Sequence, residues 1–500
     1  MERYDAAIIG AGPEGLTAAT TLAGAGLRVV VLERASRPGG RAVTREFHPG
    51  FRASPFADEL ADIPRRLFWR LDLARRGALM APAPASTLIS EIGAHILTAG
   101  AQSCAHTARL AREMDGLRTE LAARAEMLDP SPARRLSFRR REPERPGWPG
   151  DAMARASLAE LLAARVPGED MALHLAAGAL SGRAASPFLV GSALHLLAPG
   201  EGCSGAVAGG LGALGDALAA AARAAGATIR CSAEVSDIRR RRGRTSGVAL
   251  VGGEEIAAGA VISALDVKRT LLTFFAWSDL PAGIVKAAGR YRMSASRARV
   301  LFALDAAPEF SFAAARPATR RGPVHVVASM AALARAHDVW RSNALGDALP
   351  VTLRVPSFAD PRLAPAGKAV MTATLSGVPL QLFDGAWTKE KRARLVALAL
   401  AAAETVAPGV SARVLACQPI APPDFEDALG LTHGDFDGGE IGPDQTMGFR
   451  PWPEMADART PIAGLYLGGP SSAPAPFLLC AAGHRAARTL LADRAAGRLA

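Results

Sequence analysis

Residues 5–16 read DAAIIGAGPEGL, an apolar run that passes into a G-x-G-x-x-G sequence and then into a helical pattern. A second apolar run, RVVVL at 28–32, leads directly to an acidic residue. In such a motif the first glycine allows a tight turn, the second lets backbone N–H groups approach a pyrophosphate, and the third lets the helix pack closely on the strand. The acid accepts hydrogen bonds from a ribose. The segment therefore predicts a parallel βαβ unit that binds a dinucleotide. The predicted contacts are Gly10, Gly12, Pro13, Glu14, Gly15 and Glu33.

The choice between NAD and FAD depends on the turn that follows. Residues 37–41 read RPGGR, a glycine pair between two arginines shortly after the ribose-binding acid. The bare backbone of a glycine pair admits a bulky cofactor, and a guanidinium binds phosphate. We therefore predict FAD as the cofactor; a surface turn with solvated arginines is the alternative. The further predicted contacts are Arg34, Gly39, Gly40 and Arg41.

Length and composition exclude several classes of protein. The 500 residues exceed what one hydrophobic core usually serves, so we expect two or three domains. With 49% hydrophobic and 21% charged residues, the chain does not have the composition of a disordered protein. Five cysteines without a C-x-x-C pair indicate neither a disulfide framework nor a zinc site, and we expect no bound metal. The net charge is +11, but only 5% of the residues are aromatic and no recognition motif is present, which argues against nucleic-acid binding.

The chain start and the apolar stretches bear on location. The sequence runs at once into a strand pattern without a cationic leader, and no apolar stretch is long enough to span a bilayer. A helical pattern at 110–128 is followed by a proline- and arginine-rich stretch at 130–149, which predicts a solvated loop or, alternatively, a contact with an anionic membrane. We expect a cytoplasmic protein, with peripheral contact at the inner membrane face as the alternative.

Periodicity predicts the remaining elements. An alanine-rich helix at 211–225 and three short β segments between 235 and 263 indicate a helix followed by a β-meander. Longer β segments between 297 and 376 predict a separate antiparallel sheet, and a helix at 389–406 follows. A second G-x-G-x-x-G sequence at 210–215 follows no strand pattern, so we do not predict a second nucleotide site for NAD(P)H.

Several dispersed motifs resemble one known family. Besides the N-terminal motif and RPGGR, they are GGLGAL at 209–214, SALDVKRT at 263–270 and TPIAGLYL at 460–467. Together they resemble the phytoene desaturase-like FAD oxidoreductases from one end of the chain to the other. Through HPGFR at 48–52 and the acidic segment from residue 434 onward, the chain looks most similar to the branch called pyridine nucleotide-disulfide oxidoreductase domain-containing.

The resemblance implies an α/β fold with two domains. A glutathione-reductase-like FAD domain, a Rossmann-type βαβ unit with a β-meander, would be assembled from discontinuous segments, beside an α+β substrate domain with an antiparallel sheet. In this family the strand at Val235 lies along the adenine, and the C-terminal turn and helix cover the pyrophosphate and flavin. That implies contacts by Gly468, Gly469 and Gly483. The implied FAD segments are 1–75, 196–290 and 430–500, and the implied substrate segments are 76–195 and 291–429.

The sequence departs from the family near the expected active site. Segments 437–438 and 471–477 lack the histidine and the glycine-rich turn of relatives. The substrate of a relative therefore cannot be assigned to this chain. Polar groups nearby are candidates to orient a substrate or move a proton, with a solvated loop or a turn as the alternative interpretation. The candidates for the substrate pocket are His48, His433, Asp435 and Glu440. No catalytic residue is assigned.

We therefore expect an FAD-dependent dehydrogenase or desaturase. Its flavin N5 would take a hydride from a mainly apolar, isoprenoid- or secondary-metabolite-like small molecule, and oxygen or a quinone-like acceptor would reoxidise it. Two alternatives stay open: an amine oxidase-like or non-redox isomerase flavoprotein, for which an aromatic cage near the flavin would favour amines, and a non-catalytic FAD-binding interaction protein. The sequence does not determine the substrate, the electron acceptor or the oligomeric state.

Overall fold

Two seven-stranded sheets organise the chain in this computed structural model. It describes residues 3–58, 63–81, 85–98, 151–197, 206–313, 317–472 and 478–499. The helical pattern at 110–128 and the arginine-rich stretch at 130–149 lie outside these residues. Within the described residues, no helix combines the length and the apolar character that crossing a bilayer requires. The cellular location stays a prediction.

The strands follow one another along the chain in this order. They are β1 Arg3–Ile9, β2 Val29–Leu32, β3 Arg45–His48, β4 Phe51–Ala53, β5 Met80–Ala81, β6 Ala85–Ser90, β7 Gly93–Thr98, β8 Ala206–Val207, β9 Thr228–Arg230, β10 Val235–Arg241, β11 Arg244–Leu250, β12 Glu255–Ser263, β13 Arg297–Leu304, β14 Val324–Val326, β15 Val351–Arg354, β16 Ala369–Ser376, β17 Val414–Ile420 and β18 Leu465–Leu467. The α-helices are α1 Pro13–Ala23, α2 Arg65–Arg70, α3 Asp151–Arg155, α4 Leu158–Arg165, α5 Glu169–Ala179, α6 Leu211–Ala224, α7 Val267–Thr273, α8 Ala282–Arg290, α9 Met330–Arg341, α10 Lys389–Val406, α11 Pro422–Leu429 and α12 Ala481–Ala495.

The first sheet contains the predicted βαβ unit. Its strand order is β10-β11-β12-β1-β2-β9, and β18 lies beside the second half of β12. The neighbours of β1 and β2 are parallel, whereas β10, β11 and β12 form the predicted antiparallel meander. Every residue of β2 is buried, as expected for a parallel strand covered on both faces. The predicted α/β fold class, a Rossmann-type unit with a β-meander, is confirmed.

Three helices, α1, α6 and α12, pack together on one face of this sheet. Their close approach depends on glycine. A Cβ on Gly15 would lie 1.9 Å from the Gly10 carbonyl oxygen, and one on Gly483 would lie 1.9 Å from the Glu14 carbonyl oxygen. Any larger residue at either position would push a helix away from its neighbour. These close contacts of Gly15 and Gly483 therefore determine the backbone path of the loop that leads into α1.

The second sheet has the order β17-β13-β16-β15-β14-β6-β7 and is antiparallel except where β14 meets β6. Helix α10 covers it through Leu395, Ala399, Ala403 and Val406, which recur every three or four residues. Thr388 caps this helix by accepting a hydrogen bond from the Lys391 N–H. The helix has the bounds that the sequence pattern predicts.

The sheets draw their strands from interleaved parts of the chain. Strands of the first sheet lie within 3–32, 228–263 and 465–467, and those of the second within 85–98 and 297–420. The chain thus leaves the first sheet, enters the second and returns twice. The domain boundaries stay predictions.

Candidate active site

One large cavity lies beside the first βαβ unit. Its volume is about 600 Å³. The wall is formed by the loop before α1, the turn at 34–45, the start of α6, and the two segments 233–235 and 264–269. Because the carboxyl ends of β1 and β2 open into it, the cavity has the position at which doubly wound sheets bind ligands.

The glycine loop leaves room for a cofactor on the cavity side. Gly10 has φ of +96°, which suits glycine, and Gly12 begins α1 without a capping side chain. A Cβ on Gly12 would have no protein atom within 4 Å, so it would project into open space. Gly40 lies close to this loop, because a Cβ built on Gly40 would be 2.9 Å from the Cα of Gly12. The uncapped N–H groups of α1 therefore face a space that fits an anionic diphosphate.

Glu33 stands at the carboxyl end of β2, where the sequence places the ribose-binding acid. Its Oε2 accepts a hydrogen bond from the Ala11 N–H at 2.8 Å, and its Oε1 accepts one from the Ala35 N–H at 2.9 Å. These two bonds hold the carboxylate at the cavity wall, and each oxygen keeps a second lone pair for a ribose hydroxyl. Arg34 lines the same wall and donates to the Asp427 carbonyl at 2.5 Å.

The wall also includes the predicted adenine segment. Val235 lines the cavity with its neighbours at 233 and 234, and Asp266, Arg269 and Phe274 form part of the opposite wall. Asp266 caps α7 by accepting from the Arg269 N–H at 2.8 Å. Burial raises the pKa of its carboxyl group. The cavity therefore combines an apolar end with a polar loop, as an adenosine diphosphate requires.

Glu14 is a buried acid in the first turn of α1. Its two carboxylate oxygens accept hydrogen bonds from the Cys480 N–H at 2.8 Å and the Gly483 N–H at 2.7 Å, which ties the start of α12 to α1. Burial raises the pKa of this carboxyl group to about 7. Glu14 also lines the cavity, so its charge state acts directly on the helix end that faces a diphosphate.

Five glycines predicted as cofactor contacts do not line the cavity, and the structure accounts for them by packing. They are Gly15, Gly39, Gly468, Gly469 and Gly483. A Cβ on Gly469 would lie 1.9 Å from the Leu265 carbonyl oxygen, and one on Gly39 would lie 2.7 Å from the Ala42 carbonyl oxygen. Their small size allows the backbone around the site to pack closely, as the sequence motif predicts for Gly15, and a cofactor contact by these glycines stays a prediction.

The second G-x-G-x-x-G sequence serves the same cavity. Helix α6 follows only the two-residue strand β8, and its glycines pack against the turn that carries Arg41. A Cβ on Gly212 would lie 2.7 Å from the Thr44 backbone nitrogen, and one on Gly215 would lie 2.3 Å from the Ala42 carbonyl oxygen. Gly212 also lines the cavity. The motif therefore positions α6 beside the first nucleotide site.

The four substrate-side candidates are not among the residues that line the cavity. His48 lies in the β3–β4 hairpin with its ring centroid 5.5 Å from that of Phe51. The Nδ1 of His433 lies 3.2 Å from the Met293 carbonyl oxygen. These two histidines therefore contact protein groups, and a substrate-side role for either stays a prediction.

The two acidic candidates are held by neighbouring protein groups. Asp435 is buried and accepts hydrogen bonds from the backbone N–H groups of Ser294, Asp437 and Gly439. Burial, with the nearby Asp437 charge, raises its pKa to about 6. The partly exposed Glu440 pairs with Arg292 at 2.7 Å. Both carboxylates organise the 435–445 loop, and a substrate-side role for either stays a prediction.

Sequence reasoning missed a partly buried ion pair next to this loop. Arg183 contacts Asp437 through two bonds, Nε to Oδ2 at 2.9 Å and Nη2 to Oδ1 at 3.2 Å. The sequence marks Asp437 only as the replacement of a family histidine. The partners are 254 positions apart, and Arg183 follows a helical pattern without any motif. No local signal marks such a pair.

Comparison with known proteins places the chain in a family. The family model described as flavin containing amine oxidoreductase matches residues 15–403, so the chain belongs to this family. It is 28% identical to the pyridine nucleotide-disulfide oxidoreductase domain-containing protein 2 of Rattus norvegicus, over 98% of this chain and 94% of that protein.

Two solved structures show the same fold. Putrescine oxidase bound to putrescine has a TM-score of 0.59 at 17% identity, covering 99% of each chain. A fatty acid isomerase from P. acnes that produces CLA has a TM-score of 0.59 at 14% identity, covering 98% of each chain. The protein is therefore an FAD-dependent oxidoreductase with the fold of the amine oxidase superfamily, and FAD is its cofactor. The narrower phytoene desaturase-like assignment stays a prediction.

Proposed function

We propose that this oxidoreductase takes a hydride from one carbon of a mainly apolar small molecule, while the adjacent carbon loses a proton to water, which leaves a double bond between them. Bound FAD supplies the hydride acceptor at its N5 atom. The chain itself would hold the cofactor through the α1 N-terminus, Glu33 and Arg41. Its tightly packed glycines would exclude water from the backbone around the cofactor. Oxygen or a quinone-like acceptor would complete the cycle.

The observation that carries this proposal is the character of the cavity wall. No tyrosine or tryptophan is among the described residues that line it, and Phe274 is the one aromatic side chain there. Tyr291 and Tyr466, both buried, instead bond to the Gly438 carbonyl and to Asp493. Aromatic faces attract ammonium groups, so the lack of a tyrosine or tryptophan in the described wall supports a donor without an ammonium group. This wall is the one that would hold FAD, and the donor comparison below tests the substrate side beyond it.

The experiment is an anaerobic comparison of matched donors. FAD-loaded protein is mixed with oleic acid, with the linear isoprenoid phytoene, and with the amines oleylamine, putrescine and cyclohexylamine, while the visible absorbance of the flavin is recorded. We expect bleaching by an apolar compound, formation of a product with one more double bond, and no bleaching by the amines. Bleaching by amines alone, or a rearranged product without any bleaching, would contradict the proposal.

Cellular location and membrane contact are separate proposals. The five widely spaced cysteines support a reducing, cytoplasmic location, and the arginine excess supports attraction to anionic surfaces. An apolar substrate is consistent with collection from the inner membrane face. Sedimentation of the FAD-loaded protein with anionic phospholipid vesicles tests this, because binding should decrease as salt concentration rises.

A further inference from the structure

Charged side chains continue from the cavity wall toward the second sheet. We call Arg41, Arg183, Arg297 and Asp437 the arginine cluster. Arg41 lines the cavity, and its Cζ lies 5.8 Å from the ring centroid of Phe436. Arg297, the first residue of β13, places its Cζ 4.4 Å from the same centroid. One phenyl ring thus links the cofactor cavity to a cation on the second sheet.

The cluster contains more positive than negative charge. Asp437 uses both of its carboxylate oxygens in the two bonds to Arg183. Arg297 donates from Nε to the Gly182 carbonyl at 3.0 Å, and no carboxylate of the described residues lies within ion-pair distance of it. The neighbouring Asp435 is occupied by backbone donors. The charge of Asp435 also acts on Arg41 and Arg183, so the three guanidinium groups face two carboxylates of the 435–437 segment and keep an excess of positive charge.

The cluster is partly exposed, and two polar atoms of neighbouring residues lack hydrogen-bond partners. The side chains of Arg183 and Asp437 keep 18% and 21% of their surface exposed. Beside them, Nδ1 of His195 and Nε of Arg299 are buried without a hydrogen-bond partner among the residues that the structure describes. Burial and the neighbouring arginines lower the pKa of Arg297 to about 10, which leaves it charged at neutral pH. An unpaired interior cation is costly unless an anion accompanies it.

We propose that the arginine cluster binds the carboxylate of an otherwise apolar substrate, and that Arg297 is the residue that holds it. The inference rests on the proposed function and specifies its substrate class. Arg41 lines the cofactor cavity, so we assign its charge to the FAD diphosphate. Arg297 is then the cation that we assign to the substrate. A planar guanidinium matches a carboxylate with two parallel hydrogen bonds, and the same positive charge repels an ammonium group.

The test measures binding, independently of turnover. FAD-loaded wild type is titrated calorimetrically with oleate, methyl oleate, oleylamine and farnesyl phosphate. We expect oleate to bind at least about tenfold more tightly than methyl oleate, because a hydrogen bond to a charged group contributes about 1.5–3 kcal/mol. Equal affinity for acid and ester, or no binding of oleate, would overturn the proposal. Tighter binding of farnesyl phosphate would overturn the assignment to a carboxylate.

Three variants test whether Arg297 causes the preference for oleate over methyl oleate. Arg297→Met should remove the preference for oleate over methyl oleate, and Arg297→Lys should keep part of it, because its charge remains without the planar fork. Arg341→Met, which changes an exposed residue of α9, is the matched control and should keep the full preference. A full preference in a folded, FAD-loaded Arg297→Met protein would refute the role of Arg297, and circular dichroism establishes its folding.

The two proposals can fail separately. Tight oleate binding without flavin bleaching by any apolar donor would refute the proposed hydride transfer and leave the carboxylate site intact. Bleaching by phytoene together with equal binding of oleate and its ester would refute the carboxylate site alone.

Discussion

Gly12 is the residue at which the space for the cofactor can be tested directly. Its φ of −74° suits any residue, and a Cβ there would meet only the open cavity. Gly12→Val should therefore fold normally but weaken FAD binding by at least about tenfold, about 1.4 kcal/mol. Fluorescence titration of the apoprotein with FAD measures this. Gly252→Ala, which also points into open space but lies away from the cavity, is the control and should bind FAD as wild type does.

Glu14 makes FAD affinity depend on pH. Its folded pKa of about 7 lies above the ordinary value of 4.5, so ionisation destabilises the fold and stability falls as pH rises from about 4.5 through about 7. An anionic diphosphate nearby should raise this pKa further, so FAD binding favours the protonated acid. We therefore expect affinity to fall between about pH 6 and about pH 8, by at most about tenfold per pH unit.

Substitution separates Glu14 from other titrating groups. Glu14→Gln cannot ionise and should flatten the pH dependence of the FAD dissociation constant, measured by the same fluorescence titration. Glu46→Gln changes an exposed acid of β3 and should leave the slope as it is. An unchanged slope in Glu14→Gln would assign the effect to a different group.

At the scale of elements, the contact between α1 and α12 depends on Gly483. A Cβ there would lie 1.9 Å from the Glu14 carbonyl oxygen, a backbone atom that cannot move without shifting α1. Gly483→Ala should therefore lower the free energy of unfolding by about 1–3 kcal/mol or more. Urea unfolding followed by circular dichroism measures it.

A second helical glycine provides the control. Gly289 lies within α8, and a Cβ there would have no neighbouring atom within 4 Å, so Gly289→Ala meets no steric barrier. It should stabilise the protein by up to about 1 kcal/mol through helix propensity. A Gly483→Ala protein as stable as Gly289→Ala would show that the two helices separate without cost.

At the scale of the whole molecule, a buried ion pair connects the segment after the β3–β4 hairpin to the second seven-stranded sheet. Asp58 follows β4 and accepts hydrogen bonds from Nη2 of Arg299 on β13 at 2.8 Å and from Oγ1 of Thr372 on β16 at 2.9 Å. The arginine and aspartate side chains are only 3% and 10% exposed. Asp58→Asn leaves the guanidinium without its charge partner and should destabilise the protein by about 3–5 kcal/mol in urea unfolding.

A double substitution distinguishes a lost partner from lost packing. Asp58→Asn combined with Arg299→Met removes both charges and should recover part of the stability that the single change loses. If the double variant were less stable than the single one, the pair would not be the main electrostatic link between the β3–β4 segment and the second seven-stranded sheet.

Local sequence patterns encode the cofactor unit and several elements. The βαβ pattern, the position of Glu33 just after β2 and the meander at 235–263 are each encoded within about thirty neighbouring residues, because turn chemistry and side-chain periodicity act locally. The helix Lys389–Val406 follows its predicted bounds for the same reason, since Thr388 caps it and Pro408 and Gly409 follow its end.

Contacts between distant charged residues appear only in the folded structure. Arg183 and Asp437 are 254 positions apart, and Asp58 and Arg299 are 241 apart, so no local pattern relates them. The glycines of one motif also differ in their surroundings, because Gly12 lines the cavity whereas Gly15 packs against the Gly10 backbone. Burial and charge balance depend on groups that folding brings together, and the proposed substrate side of the site rests on these properties.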